Sequence, residues 1–232
     1  MSRKVLDPPP DEGSMNCWDS VHDRFKTTPG QVPPEVEDNL RIAWPALIRE
    51  LSKAVKLPGK ILDFGCGTGG LAQSLGSLGY TVLGLDPSER MIAEALPKSS
   101  DRVSFRRGTL RDLPPEAVFD GIVSCMVLPF VQDLEPCLSQ LSARLKKGGT
   151  LAFAVFNPEF VSFHSDFTRA GDQILLRIQA EPFEVYPRTA DDYRKALTLL
   201  GFREAHRDLP PSPAAPEEIP EYLLMAFRKE DR

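Results

Sequence analysis

The stretch Ile61-Leu62-Asp63-Phe64-Gly65-Cys66-Gly67-Thr68-Gly69-Gly70 constrains this chain more than any other. Its first residues read as an apolar strand interrupted by one carboxylate. Its glycines let the backbone turn sharply and approach a ligand, and Leu71, Leu75 and Leu78 then share one face of a helix. Strand, glycine loop and helix in that order are the opening unit of an α/β fold built on a mostly parallel sheet.

The loop satisfies GxGxxG at Gly65, Gly67 and Gly70, and Asp86 follows about 20 residues on, where a dinucleotide fold keeps its ribose-binding acid. Asp63 separates the possible ligands. It ends the strand two residues before the first glycine, so its carboxylate points into the ligand site. A pyrophosphate is repelled there and an ammonium is attracted. The charge therefore favours a nucleoside joined to an amino acid, S-adenosylmethionine, with Asp86 accepting from the ribose hydroxyls. A nicotinamide-dependent oxidoreductase is the alternative that the glycine spacing keeps open, and a binding protein without turnover is another.

The remaining chain fits the same class. Strand patterns fall near 60–64, 80–85, 102–106, 119–124, 149–156, 202–207 and 222–228, with amphipathic helices between most of them. Asp133 is expected to cap a helix with Leu134, Leu138, Leu141 and Leu145 in one stripe, with Lys146 and Lys147 at its negative end and Gly148 as its left-handed stop. Thr189 and Asp192 make a capping-box pattern for a helix ended by Gly201. Pro45 should kink or divide the helix expected from Glu35 onward.

Residues 1–34 are proline-rich and poor in aliphatics, and form an arm or lid; residues 35–232 form the main domain. Within the arm, Trp18, Val21 and Phe25 share one helical face, suited to docking or to covering a pocket. An insert at 157–188 holds Phe160, Phe163, His164, Phe167, Phe183 and Tyr186, and is expected to shape a substrate pocket. Residues 208–220 read as a stiff, proline-rich connector.

Charge and cysteines narrow the function classes. With 28 Lys plus Arg against 33 Asp plus Glu, a net charge of −5 disfavours nucleic acid as partner. The four cysteines include no CxxC pair, so a zinc site or disulfide frame is not expected. No apolar run suits a membrane span or a secretory signal, so a soluble, cytoplasmic protein is expected.

Asp63 to Gly70 resembles the first motif of class I S-adenosylmethionine-dependent methyltransferases, and Leu83-Gly84-Leu85-Asp86-Pro87-Ser88 resembles the acidic turn after their second strand. Phe119 to Leu128 and Leu145 to Leu151 resemble that family's fourth strand and the turn into its fifth, so the likeness covers about residues 58–156. The resemblance implies a Rossmann-like, seven-stranded, mostly parallel sheet with an antiparallel last strand and helices on both faces. It implies methyl transfer to an oxygen or nitrogen of a small organic molecule, as in the small-molecule relatives of the type 11 group.

Carried over residue by residue, the resemblance puts Asp63, Gly65, Cys66 and Gly67 around the methionine moiety, and Asp86 and Pro87 at the ribose. Met91, Thr109 and Leu110 fall near the adenine, and Ser124 in the cofactor cleft. Many relatives have an acid where Thr109 stands; here the acid is Asp112. Many have a histidine where Pro129 stands, so chemistry resting on that imidazole is absent.

For the acceptor side, Trp18, Phe130, Asn157, His164 and Tyr186 are the candidate substrate contacts, and His164, His22 and Asp133 the candidate proton acceptors. Asn157-Pro158-Glu159-Phe160 departs from the Asn-Pro-Pro-aromatic motif of amine methylases and follows the wrong strand. A turn is the expectation for it. No metal is expected, and the acceptor and the oligomeric state are left open.

Overall fold

The computed structural model describes residues 18–27, 37–178, 181–212 and 217–230. Expectations resting on Cys17, on the rest of the arm and on residues 213–216 lie outside the described residues.

Strands β1 (Lys60–Phe64), β2 (Thr81–Asp86), β3 (Val103–Arg107), β4 (Phe119–Cys125), β5 (Leu145–Phe156), β9 (Phe202–Asp208) and β10 (Tyr222–Lys229) form one sheet in the order β3-β2-β1-β4-β5-β10-β9. The pairs among β1 to β5 are parallel, and β10 inserts antiparallel between β5 and β9. Strand order reverses between β1 and β4, and at this switch point adjacent loops diverge and open a crevice.

Period-two alternation feeds two cores. Leu223, Met225 and Phe227 of β10 face α4 (Leu134–Arg144) and α6 (Ala190–Leu199), in one cluster with Leu62, Ile122 and Phe153. Tyr222, Leu224 and Ala226 face the other way, in a cluster with Leu47 and Leu51 of α1 (Trp44–Ala54) and Leu71 and Leu75 of α2 (Gly70–Ser77). Because both faces are covered, the central strands are apolar almost throughout, and a buried polar side chain such as Asp63 stands out.

Pro45 divides its helix, as the sequence suggests: a π-helical turn at Asn39–Ala43 precedes α1, and the proline sits in the first turn of α1, where no backbone donor is needed. Thr189 and Asp192 form the expected capping box of α6.

Two expectations are corrected. The helix capped near Asp133 ends at Arg144 rather than running to Lys147, because Leu145 is already extended (φ −101°, ψ 130°) and opens β5. Gly148 (φ 70°) instead lies inside β5, where the pairing with β4 is irregular between Phe119 and Gly121, and Lys146 pairs with Asp120 at 2.7 Å. Asp133 occupies the cap position without its side chain capping anything; only its carbonyl oxygen accepts, from the Cys137 amide.

The insert has more structure than its sequence suggests. After α5 (Pro158–Phe163), the strands β6 (Phe167–Ala170), β7 (Gln173–Ile178) and β8 (Glu181–Val185) make a separate antiparallel sheet. Gly171 (φ 64°) and Asp172 turn β6 into β7, a hairpin signal that was present in the sequence. Among the described residues, no helix is long and apolar enough to cross a membrane.

Candidate active site

At the carboxyl end of β1 the chain leaves the sheet with Gly65 at φ 72°, and the Gly65 and Cys66 amides both donate to the Leu85 carbonyl oxygen, at 2.8 and 3.1 Å. A Cβ on Gly65 would lie 2.2 Å from Val127 Cγ2, so the position requires glycine for space as well as for φ. Gly67 (φ 51°) differs: a Cβ there would meet only Met91 Sδ, at 4.0 Å. Its bareness leaves room for something that enters the crevice.

Asp86, ending β2, is held by that loop. Its Oδ2 accepts from the Gly67 amide at 3.0 Å and its Oδ1 from the Ser88 amide at 2.9 Å. Each oxygen keeps a further lone pair. Burial raises its proton affinity, while the two amides oppose that shift.

Asp63 is the unusual group. It is 1% exposed, and its Oδ2 has no hydrogen-bond partner. Burial first, and the nearby Asp86 charge second, push its carboxyl up to about 7. A buried carboxylate that is short of a donor and adds to a second negative charge lacks a cation.

These groups border a cavity of about 800 Å³, large enough for a nucleoside-sized cofactor and a second small molecule. Of the residues anticipated from sequence, the cavity brings together Asp63, Gly65, Cys66, Gly67, Asp86 and Pro87 on one side. Met91 joins them, and Trp18, Phe130 and His164 stand elsewhere on the wall.

The other anticipated residues are not on this wall. Thr109 is occupied by Asp112, whose Oδ2 accepts from its amide at 2.7 Å and its hydroxyl at 2.9 Å. Leu110 is buried in the core that faces α4, and Ser124 is fully buried with its hydroxyl unpartnered. Tyr186 donates its hydroxyl to Glu184 at 2.6 Å.

His22 contacts the Asp19 carbonyl oxygen and Asp23, and Asp133 begins α4. Asn157 proves to be a cap rather than a bare turn. Its Oδ1 accepts from the Glu159 amide, its Nδ2 donates to the Pro220 carbonyl oxygen at 2.9 Å, and its own amide donates to the Glu221 carbonyl oxygen at 2.7 Å.

Several wall residues were missed. Asp38 and Asn39 come from the segment leading into α1, Trp44 from its first turn, Arg177 from β7, Glu221 from just before β10 and Tyr222 from its first position. No local motif marks them, because each reaches the cavity through tertiary packing. Burial raises the Cys66 and Cys125 thiols well above their ordinary range, so both remain neutral and neither is an activated nucleophile.

Residues 18–27 cross the glycine loop and the turn after β2. Trp18 packs against Phe25, Phe130 and Phe183, with ring centroids 5.8, 4.9 and 4.5 Å apart. Ser88 Oγ and the Arg90 amide donate to Asp19 Oδ1, and Thr68 Oγ1 of the glycine loop donates to the Phe25 carbonyl oxygen. Among the described residues, no cluster of His, Cys, Asp or Glu is arranged to hold a metal ion.

The profile of the methyltransferase-domain family matches residues 37–206. A ubiquinone biosynthesis O-methyltransferase from Bradyrhizobium diazoefficiens is 34% identical over 168 residues, which are 71% of this chain and 56% of that protein. This chain thus spans about half the length of that curated relative. Among solved structures, an S-adenosylmethionine-dependent methyltransferase from Mesorhizobium loti is 25% identical with a TM-score of 0.64, covering 80% of this chain and 97% of that one. The magnesium protoporphyrin IX methyltransferase of Synechocystis PCC 6803 shares the fold with a TM-score of 0.69 at 21% identity, covering 99% of this chain and all (100%) of that one. With the family profile matching 37–206, well over half of the sequence, this chain belongs to the methyltransferase-domain family.

Proposed function

We propose that the chain is an S-adenosylmethionine-dependent methyltransferase that transfers a methyl group to an oxygen or nitrogen atom of a small organic molecule by in-line displacement. One observation carries this reading: the buried, unpartnered Asp63 Oδ2 borders the same cavity as Asp86 and the open face of Gly67. Asp63 would hold the ammonium of the donor and Asp86 its ribose hydroxyls, with Pro87 and Met91 offering apolar surface to the purine. A nicotinamide dinucleotide would instead bring its pyrophosphate against Asp63. When bound, the donor supplies a methyl group on a sulfonium.

The chain's own part is positioning and exclusion of water. Trp18 to Thr27 form a strap over the glycine loop and α3 (Glu89–Ala95): Lys26 reaches Glu94 at 3.2 Å, and Lys98 donates to Thr27 Oγ1 at 3.0 Å. This supports the arm as a lid that must open for entry and close for transfer. Phe130, Phe156, Phe160 and Phe167 line the remainder of the cavity. They favour a planar, apolar acceptor, and the O-methyltransferase name of the Bradyrhizobium relative supports a hydroxyl as the receiving group.

The test is incubation with methyl-labelled S-adenosylmethionine and a panel of catechols, phenols and aromatic amines. Labelled product together with S-adenosylhomocysteine is expected. No labelled product from any acceptor would overturn the reading.

A further inference from the structure

Besides Asp63 and Asp86, the cavity wall carries a further buried carboxylate, Glu221. Glu221 lies in the short segment that leads into β10. Asn157 holds that segment at two consecutive carbonyls, through its Nδ2 on Pro220 and its amide on Glu221. The groups facing Glu221 are Asp38 from the helical segment before α1, Asp166 from the link between α5 and β6, the Cys125 thiol at the end of β4, and the Tyr222 hydroxyl beside it in the chain.

We propose that Glu221 is the general base that takes the proton of a hydroxyl acceptor, with Asn157 as its positioning residue; this rests on the methyltransferase reading above. A phenol or alcohol carries its proton at neutral pH, so its methylation needs a proton acceptor within reach. Burial, and the like charges of Asp38 and Asp166, bring the Glu221 carboxyl to about 7, which suits a base working near neutrality. Cys125 stays a neutral thiol and cannot take this part. His164 stands on the same wall, 41% exposed, stacked on Phe160 at 4.4 Å with its Nδ1 3.5 Å from Asp166.

In the step, a lone pair of the acceptor oxygen forms the bond to the methyl carbon. The carbon–sulfur bond breaks with its electron pair staying on sulfur, and the O–H proton passes to a Glu221 carboxylate oxygen. The products are the methyl ether, the neutral thioether and a protonated Glu221, which releases its proton to water before the next turnover.

The experiment uses unsubstituted catechol, which keeps its proton at neutral pH, as acceptor with the full chain, and compares Glu221→Gln, Glu221→Asp and Asn157→Ala. The wild type is expected to show kcat rising with pH through about 7. Glu221→Gln should lose at least about 100-fold in kcat and lose that pH limb, while S-adenosylhomocysteine affinity, read by calorimetry, stays unchanged. A carboxylic C=O infrared band that titrates over the same range should lose intensity in Glu221→Gln, with the Asp63 contribution remaining. Glu221→Asp should restore part of the rate and the limb, and it serves if the Gln variant does not fold. Asn157→Ala should lower kcat with little change in KM for the acceptor.

A Glu221→Gln variant within about threefold of wild type, or one that keeps the limb, overturns the proposal. So does a wild type that binds S-adenosylhomocysteine but does not methylate the catechol. Failure to bind S-adenosylhomocysteine brings down the underlying reading instead.

Discussion

Two parts of the cavity wall are built by different means. The glycine-loop end comes from one continuous run, β1 through β2, in which Asp63, Gly65, Gly67 and Asp86 are fixed by backbone hydrogen bonds between neighbouring elements. The rest of the wall is assembled from pieces far apart in the chain: Trp18 in the arm, Asp38 before α1, Phe160 and His164 in the insert, Glu221 before β10. A site that grips an invariable cofactor can be local. One that selects an acceptor gathers side chains from whichever loops the switch point brings together.

The largest effect expected from this contrast is electrostatic. Asp63 titrates at about 7 in the folded chain against 3.8 as an ordinary aspartate. Between those values the folded chain holds a proton that the unfolded chain has released. Stability therefore falls as pH rises through this window, and the loss is complete above about 7. A shift of that size corresponds to on the order of 4 kcal/mol. Asp63→Asn should raise the unfolding free energy of the cofactor-free protein above neutrality and flatten its pH dependence, as read by urea titration at several pH values. An unchanged slope would show that Asp63 is solvated.

Two glycines sharpen the comparison next. Gly65→Ala must place its Cβ 2.2 Å from Val127 Cγ2 at φ 72°, whereas Gly171→Ala, in the β6–β7 turn, has φ 64° and nothing within 4 Å. Denaturant unfolding should show a loss of about 3 kcal/mol or more for the first, from overpacking plus backbone cost, and about 1 kcal/mol for the second. Equal losses would mean that the loop repacks freely.

Smaller effects are expected at the lid. Trp18→Ala removes three ring contacts that hold the arm. With about 0.5 kcal/mol from each ring pair, turnover should fall about tenfold with little change in Tm. Unchanged kinetics would refute the lid. Thr189→Ala, which breaks the α6 capping box away from the cavity wall, should cost about 1 kcal/mol of stability and leave methylation kinetics alone.

The same contrast explains what the sequence made legible. The alternation of strands and helices and the residues of the first two motifs could be read because each rests on a local pattern: period-two apolar runs, glycine spacing, an acid at a strand end; the antiparallel last strand came from the family likeness. Thr109, Leu110 and Ser124 came from the family likeness rather than from such a pattern, and their side chains are occupied or buried away from the cavity. Asn157 was noticed for its place beside a proline, yet its role depends on Pro220 and Glu221, more than sixty positions away. Glu221 itself has no flanking motif; only the insertion of β10 between β5 and β9 brings it to the wall. The stop expected at Gly148 failed because an extended Leu145 has already started β5, and at Asp133 the backbone carbonyl rather than the side chain meets the helix.

The most direct test of the central claim is a calorimetric titration of wild type and Asp63→Ala with S-adenosylmethionine, S-adenosylhomocysteine and NAD. The wild type should bind the first two and not NAD. Affinity should tighten as pH rises through about 7, where Asp63 gives up its proton to face the ammonium. Losing that buried pairing costs about 2 kcal/mol or more, so Asp63→Ala should bind at least roughly 30-fold more weakly. Binding of NAD, or equal S-adenosylmethionine affinity in the two proteins, would contradict the account.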